Sequence, residues 1–233
     1  MYFDWTFLVL VMPAVIFAFW ASAKVNSTYN EYSNHHNTKN ITACQAARAV
    51  LDANGLGDVK IERVKGNLTD HFDPRTNVIR LSENVYSSTS TAAIGVACHE
   101  VGHAIQHSVE YAPAKIRMAI VPVTNIGSRL AIPLILLGVL LGGLSIYFYN
   151  LIYVGIACFG LSAIFQLVTL PTEYDASKRA IESIEYNNIL AGDEVVGAKK
   201  VLNAAALTYV AALAVSLMQF LRILLMFGGR RRS

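Results

Sequence analysis

Four stretches of about twenty residues with almost no charge constrain this chain more than any other feature of its sequence. Residues 3–21 are nearly all apolar, interrupted by Asp4, Thr6 and Pro13. Residues 130–149 and 151–170 carry no charge, and 205–227 carry only Arg222. A bilayer core of ~30 Å needs about 20 helical residues at 1.5 Å each, so every run is long enough to span. Buried helices of soluble proteins are rarely apolar on all faces over that length. Composition agrees: 54% of residues are hydrophobic and 15% charged, where soluble proteins carry roughly 25% charge. The net charge of +3 is too small to suggest a nucleic-acid partner. Cys44, Cys98 and Cys158 form no Cys-x-x-Cys pair and call for neither a disulfide framework nor a thiolate metal site.

The runs imply an order along the chain. Residues 1–23 form an amino-terminal anchor. Ala21-Ser22-Ala23 imitates a cleavage site, but no Lys or Arg precedes the run as a signal peptide would require. Residues 24–129 form an extramembrane portion. Its last part, 112–129, carries Lys115, Arg117, Asn125 and Arg129, with Pro113 and Pro122 as breaks, and reads as an amphipathic segment on the membrane surface. Residues 130–170 form a hairpin of two spans with Asn150 at its tip. Residues 171–204 form a second extramembrane portion, and 205–233 a last span with the basic tail Arg230-Arg231-Arg232. Four spans place 24–129 and 171–204 on one membrane face, with the lipid bilayer as an obligatory partner. Lys24, Lys115, Arg117, Arg129, Lys178, Arg179, Lys199 and Lys200 outnumber the tail's arginines, so the positive-inside rule assigns that face to the cytoplasm.

Within residues 22–129, the polar, Asn-rich 22–40 read as a linker. Residues 42–54 show a helical apolar face, with Gly55 as a stop. Residues 59–64 and 78–81 alternate like strands, separated by the turn signal Asp73-Pro-Arg-Thr-Asn77. Residues 87–90 offer N-cap serines for a helix over 91–108. The fold class expected is mainly α with a small β element: a multi-span helical membrane protein with the helix over 91–108 on one membrane face.

That helix carries His99-Glu100-Val101-Gly102-His103. At 100° per residue the two histidines share a face one turn apart, so both imidazoles can reach one zinc ion. Glu100 is angled to reach a water at that ion and act as general base, and Gly102 leaves room near the metal. A catalytic zinc needs one more protein ligand. His107 lies ~12 Å along the helix from His99, too far to share the ion. His35, His36 and His71 lie on the same membrane face, with no pattern that aims them. Glu173 lies just past the third run, on the returning chain at the start of a helix over 174–188, and is the candidate third ligand; Asp175 is its rival. His71, Tyr111 and Tyr174 are candidates for substrate binding or oxyanion stabilisation. Strand 78–81 could serve as an edge strand for substrate backbone, or be a plain sheet strand. Cys98 reads as a helix-packing residue.

The strings Val96-Ala-Cys-His-Glu-Val-Gly-His-Ala-Ile-Gln-His107, Leu170-Pro-Thr-Glu-Tyr-Asp-Ala-Ser177 and Asp70-His-Phe-Asp-Pro-Arg75 resemble the YugP-like bacterial membrane zinc metallopeptidases, over nearly the whole chain. The resemblance implies a zinc-dependent peptidase of a bacterial cell membrane, with His99 and His103 as ligands and Glu100 as base. Similarity to the wider gluzincin group, including HtpX-like and CAAX prenyl proteases, implies Glu173 as third ligand. That group places Glu-x-x-x-Asp on a later helix. Ser177 stands here in the place of the Asp, so support for a ligating histidine falls to another group.

The function expected is zinc-dependent endopeptidase action on membrane-proximal or unfolded polypeptide. Its rival is an inactive, zinc-stabilised membrane scaffold or chaperone, which would be indifferent to loss of the Glu100 carboxylate.

Overall fold

A computed structural model of the chain describes residues 5–228. Asp4 and the basic tail Arg230, Arg231 and Arg232 lie outside the described residues. Among the described residues the protein is mainly α with a small three-stranded sheet, and four helices are long and apolar enough to cross a membrane. The chain divides into two units, one made of residues up to Trp20, Ile116–Leu170 and those from Thr208 onward, the other of Ala21–Lys115 and Pro171–Leu207.

The first unit is built from the apolar runs. A π-helical turn, Phe7–Val11, leads into α1 (Met12–Ser33). Helix α5 (Ala112–Leu141) and helix α6 (Ile146–Tyr186) form the hairpin, and α7 (Asp193–Gly228) supplies the last span. Ile152, Ile156 and Ile223 form its buried centre, while Leu136, Leu140, Ile164 and Leu225 are exposed, as side chains facing lipid would be. Gly138 and Gly155 allow close backbone approach: a Cβ at either would lie 2.8 Å from Ile152 N or Ala131 O respectively.

Three expectations change here. The segment 112–129 is no separate surface helix, because α5 runs unbroken through Pro122 and Pro133; proline is tolerated in such helices when neighbours satisfy the freed carbonyl. The hairpin turns at residues 142–145 rather than at Asn150, which lies inside α6. Gly142 and Gly143 favour a break, and the Tyr147 N–H donates to Ser145 Oγ at 3.3 Å as α6 begins. No new helix starts at Tyr174, since α6 passes through Pro171 and continues to Tyr186.

In the second unit, helix α2 (Ala43–Ala53) begins with a capping box, the Thr42 hydroxyl accepting from Gln45 N–H and the Gln45 side chain from Thr42 N–H. Strands β1 (Lys60–Val64), β2 (His71–Asp73) and β3 (Val78–Ser82) make a sheet of order β1-β3-β2. Strand β3 runs parallel to β1 and antiparallel to β2. It is therefore the central strand, both its edges are paired, and the edge-strand role for 78–81 is lost. A one-turn α3 (Glu83–Tyr86) precedes α4 (Thr91–Ser108). Helix α4 lies in the core among Leu51, Ile79, Leu81, Val85, Ile184 and Leu202. The expected linker is helical as far as Ser33: Ser27 and Ser33 hydroxyls donate to carbonyls three residues back, and Tyr32 packs with Ala92 and Val201.

Candidate active site

Helix α4 starts where the Ser90 hydroxyl accepts the Ala93 N–H at 3.2 Å. This fixes the register in which His99 and His103 emerge one turn apart, their ring centroids 4.7 Å from each other. Most of the helix is buried, and the two imidazoles are among its few partly open residues. Across from them lies α6. Gly102 is the point of approach: a Cβ there would stand 2.3 Å from the Ala176 carbonyl oxygen. Its missing side chain makes room for the backbone of α6 rather than for an ion.

That approach delivers Glu173, only 2% exposed, to the histidines. Glu173 Oε2 lies 3.2 Å from His99 Nε2 and 3.6 Å from His103 Nε2. The candidate ligand atoms of the three residues all lie within 4.8 Å of one another. Both Nδ1 atoms are occupied elsewhere, His99 Nδ1 by Ser177 Oγ at 3.1 Å and His103 Nδ1 by Gln106 Oε1 at 3.1 Å. Glu100 is 8% exposed, and its Oε2 accepts the Phe72 N–H of β2 at 2.9 Å. Burial pulls the His103 imidazole down, but the hydrogen bond to Glu173 and the Glu100 and Glu173 charges outweigh it, so its pKa is raised. All these residues belong to the second unit.

The remaining candidates make contacts of their own. His71 is exposed, with Nδ1 2.7 Å from Thr69 O. The Tyr111 ring lies beneath the Arg179 guanidinium, 5.7 Å from centroid to Cζ. Tyr174 is 46% exposed and lines a cavity of about 450 Å³ with Lys24, Thr28 and Lys200; one residue along a helix from Glu173, it turns about 100° away. His107 sits against Phe72, His36 against Thr89 and His35 against Tyr32. Asp175, the rival ligand, accepts from Arg179 and Gln106. Cys98 is fully buried, which pushes its thiol up to about 12.

Three groups escaped sequence reasoning: Ser177, Gln106 and the Phe72 N–H. Ser177 itself supplies the support that its replacement of Asp seemed to remove. The spacing held clues, since Gln106 follows His103 by three residues and Ser177 follows Glu173 by four, both helical neighbours. The Phe72 contact spans 28 residues and left no local signal.

A family model described as "Putative neutral zinc metallopeptidase" matches residues 7–228. The chain belongs to this family. A protein of Bacillus subtilis (strain 168) called "Putative membrane protease YugP" is 47% identical over 225 residues, covering 97% of this chain and 98% of the relative. No solved structure matches. Membership of a zinc metallopeptidase family implies zinc, and the side chains fit it. Ligand atoms at ~2.0–2.1 Å from a tetrahedral ion stand ~3.3 Å apart, close to the 3.2 and 3.6 Å between Glu173 and the two histidines.

Proposed function

We propose that this member of the zinc metallopeptidase family is a membrane-anchored endopeptidase that cleaves membrane-proximal or unfolded polypeptide at the cytoplasmic face. The observation that carries the reading is a carboxylate held beside a three-ligand cluster. Glu100 directly follows His99, and its Oε2 is tied to Phe72 N–H, leaving Oε1 as the oxygen that can take a proton. Zinc, when bound, supplies a Lewis acid that lowers the pKa of a water and polarises the scissile carbonyl.

The rest falls to the protein. His99 and His103 offer Nε2, and Glu173 offers Oε2. Glu100 Oε1 takes the proton of the attacking water and passes it to the leaving amine nitrogen as the C–N bond breaks. The Phe72 N–H keeps the carboxylate from rotating between those two steps. Burial of Glu173 keeps its charge out of water and directed at the histidines.

Glu100→Gln spares all three ligands, so it should abolish cleavage of an unfolded reporter while zinc content stays stoichiometric. Retained cleavage would refute the base assignment and support the scaffold reading instead. The cytoplasmic assignment rests on Lys24, Lys178, Lys199 and Lys200 near span ends. With four spans it puts the carboxy terminus outside, so a carboxy-terminal alkaline phosphatase fusion should be active in cells. An inactive fusion beside an active cytoplasmic reporter at the same position would reverse it.

A further inference from the structure

We propose that Gln106 is a positioning residue that fixes the tautomer and ring orientation of His103, held for that task by Asp175 and the Thr172 carbonyl. This rests on the reading of His103 as a metal ligand.

Gln106 is 1% exposed, one turn beyond His103 on α4. A glutamine amide can face either way, and only its partners decide. Here Nε2 meets the Thr172 carbonyl oxygen at 2.7 Å and Asp175 Oδ2 at 2.9 Å. A carbonyl and a carboxylate only accept, so the NH2 group must face them. The amide oxygen is thereby turned toward His103 Nδ1, 3.1 Å away. An acceptor at that distance requires the proton on Nδ1, which leaves the Nε2 lone pair free on the side of Glu173. Two neighbours that never touch the metal thus dictate which nitrogen of His103 can bind it.

The clamp is itself held. Arg179 Nε donates to Asp175 Oδ2 at 2.6 Å, and the Arg179 guanidinium lies over the Tyr111 ring. Thr172, Asp175 and Arg179 all belong to α6, the helix that carries Glu173. One helix therefore delivers a ligand and also sets the orientation of another ligand on the facing helix. His99 is treated differently. Its Nδ1 meets the Ser177 hydroxyl, which can donate or accept and so imposes no tautomer. One histidine is set in advance, and the other adapts.

The test uses the full-length protein purified in detergent. Zinc affinity is measured by competition with a chromophoric chelator, the ligand field by the visible spectrum of the Co2+-loaded protein, and folding by the melting point of the metal-free form. Gln106→Met keeps the volume and removes both halves of the clamp; it should weaken zinc binding about 10- to 100-fold and shift the Co2+ bands. Asp175→Ala, which touches no ligand, should weaken binding in the same direction. The double variant should bind no worse than Gln106→Met alone, because both act on one element. Ser177→Ala should lose less than Gln106→Met. Wild-type affinity and an unchanged Co2+ spectrum in Gln106→Met would overturn the proposal, as would additive losses in the double variant. If Gln106→Met does not fold, Asp175→Ala decides alone: a weakened, spectrally shifted site supports the clamp, and an unchanged one overturns it. His103→Ala separates the two levels of inference. If it leaves zinc affinity unaltered, the metal-centre reading fails, whatever Gln106 does.

Discussion

Replacing Gly102 with alanine would drive a methyl carbon into the backbone of α6. The new Cβ would lie 2.3 Å from the Ala176 carbonyl oxygen, 3.0 Å from its carbon and 3.1 Å from Ala176 Cα. The first distance falls about 1.1 Å short of the 3.4 Å at which ordinary contact begins. None of these atoms can swing aside as a flexible side chain would, so the helices must separate or rotate by roughly that amount. Glu173 and Ser177 lie within three residues of Ala176 on the same helix and would move with it. Separations of 3.2 and 3.6 Å from Glu173 to the histidines would widen by up to about 1 Å, whereas metal sites tolerate about 0.2 Å. Overpacking of this kind costs about 1–3 kcal/mol of stability. Zinc affinity should fall about 100-fold, or ~2.7 kcal/mol. Chelator competition on purified protein and the melting point of the metal-free form measure the two effects. Gly57→Ala is the control, because a Cβ there meets nothing within 4 Å. If Gly102→Ala binds zinc as tightly as the parent, the close approach of α6 is not what assembles the site.

Two further outcomes follow from the titrating groups. The raised His103 pKa means that a bound proton must leave before Nε2 can take a metal. Apparent zinc affinity should fall about tenfold per pH unit below that pKa and level off above it; a flat profile between roughly pH 5.5 and 8 would refute the linkage. Cys98, fully buried with its thiol pushed up to about 12, should resist iodoacetamide at neutral pH in the folded protein and react in denaturant. Peptide-resolved mass spectrometry checks this, and labelling of native Cys98 would contradict its place in the core.

Much of the architecture could be read from local pattern. A helix as long as a bilayer is thick needs only its own apolar residues, and α4 needs only Ser90 at its start and an unbroken helical run after it. His99, Glu100 and His103 share a helix, so their relation follows from 3.6 residues per turn. The nearness of Glu173 to the histidines agrees with the four-span reading, in which an even number of crossings would return the chain to the same face. The misplaced features depended on competition between signals. Asn150 separates the two uncharged runs in the sequence, yet the flexible Gly142-Gly143 pair makes the turn. Pro122 reads as a break and a new helix is expected at Tyr174, yet α5 runs through Pro122 and α6 through Pro171 and Tyr174. Strand β2 is three residues long, too short for a period to show, and without it β3 resembled an edge.

The sequence by itself determined the four long apolar runs, helix α4 and the pair of histidines one turn apart, because each depends on residues close in the chain. Only the tertiary structure decided what holds those histidines. Ser177 at His99, the hold of Thr172 and Asp175 on Gln106, and Phe72 N–H at Glu100 depend on how closely two helices and a strand approach one another. That distance is set at Gly102, where a missing side chain lets α6 come near. No local pattern carries such a distance, since it results from the packing of surfaces about 70 residues apart in sequence.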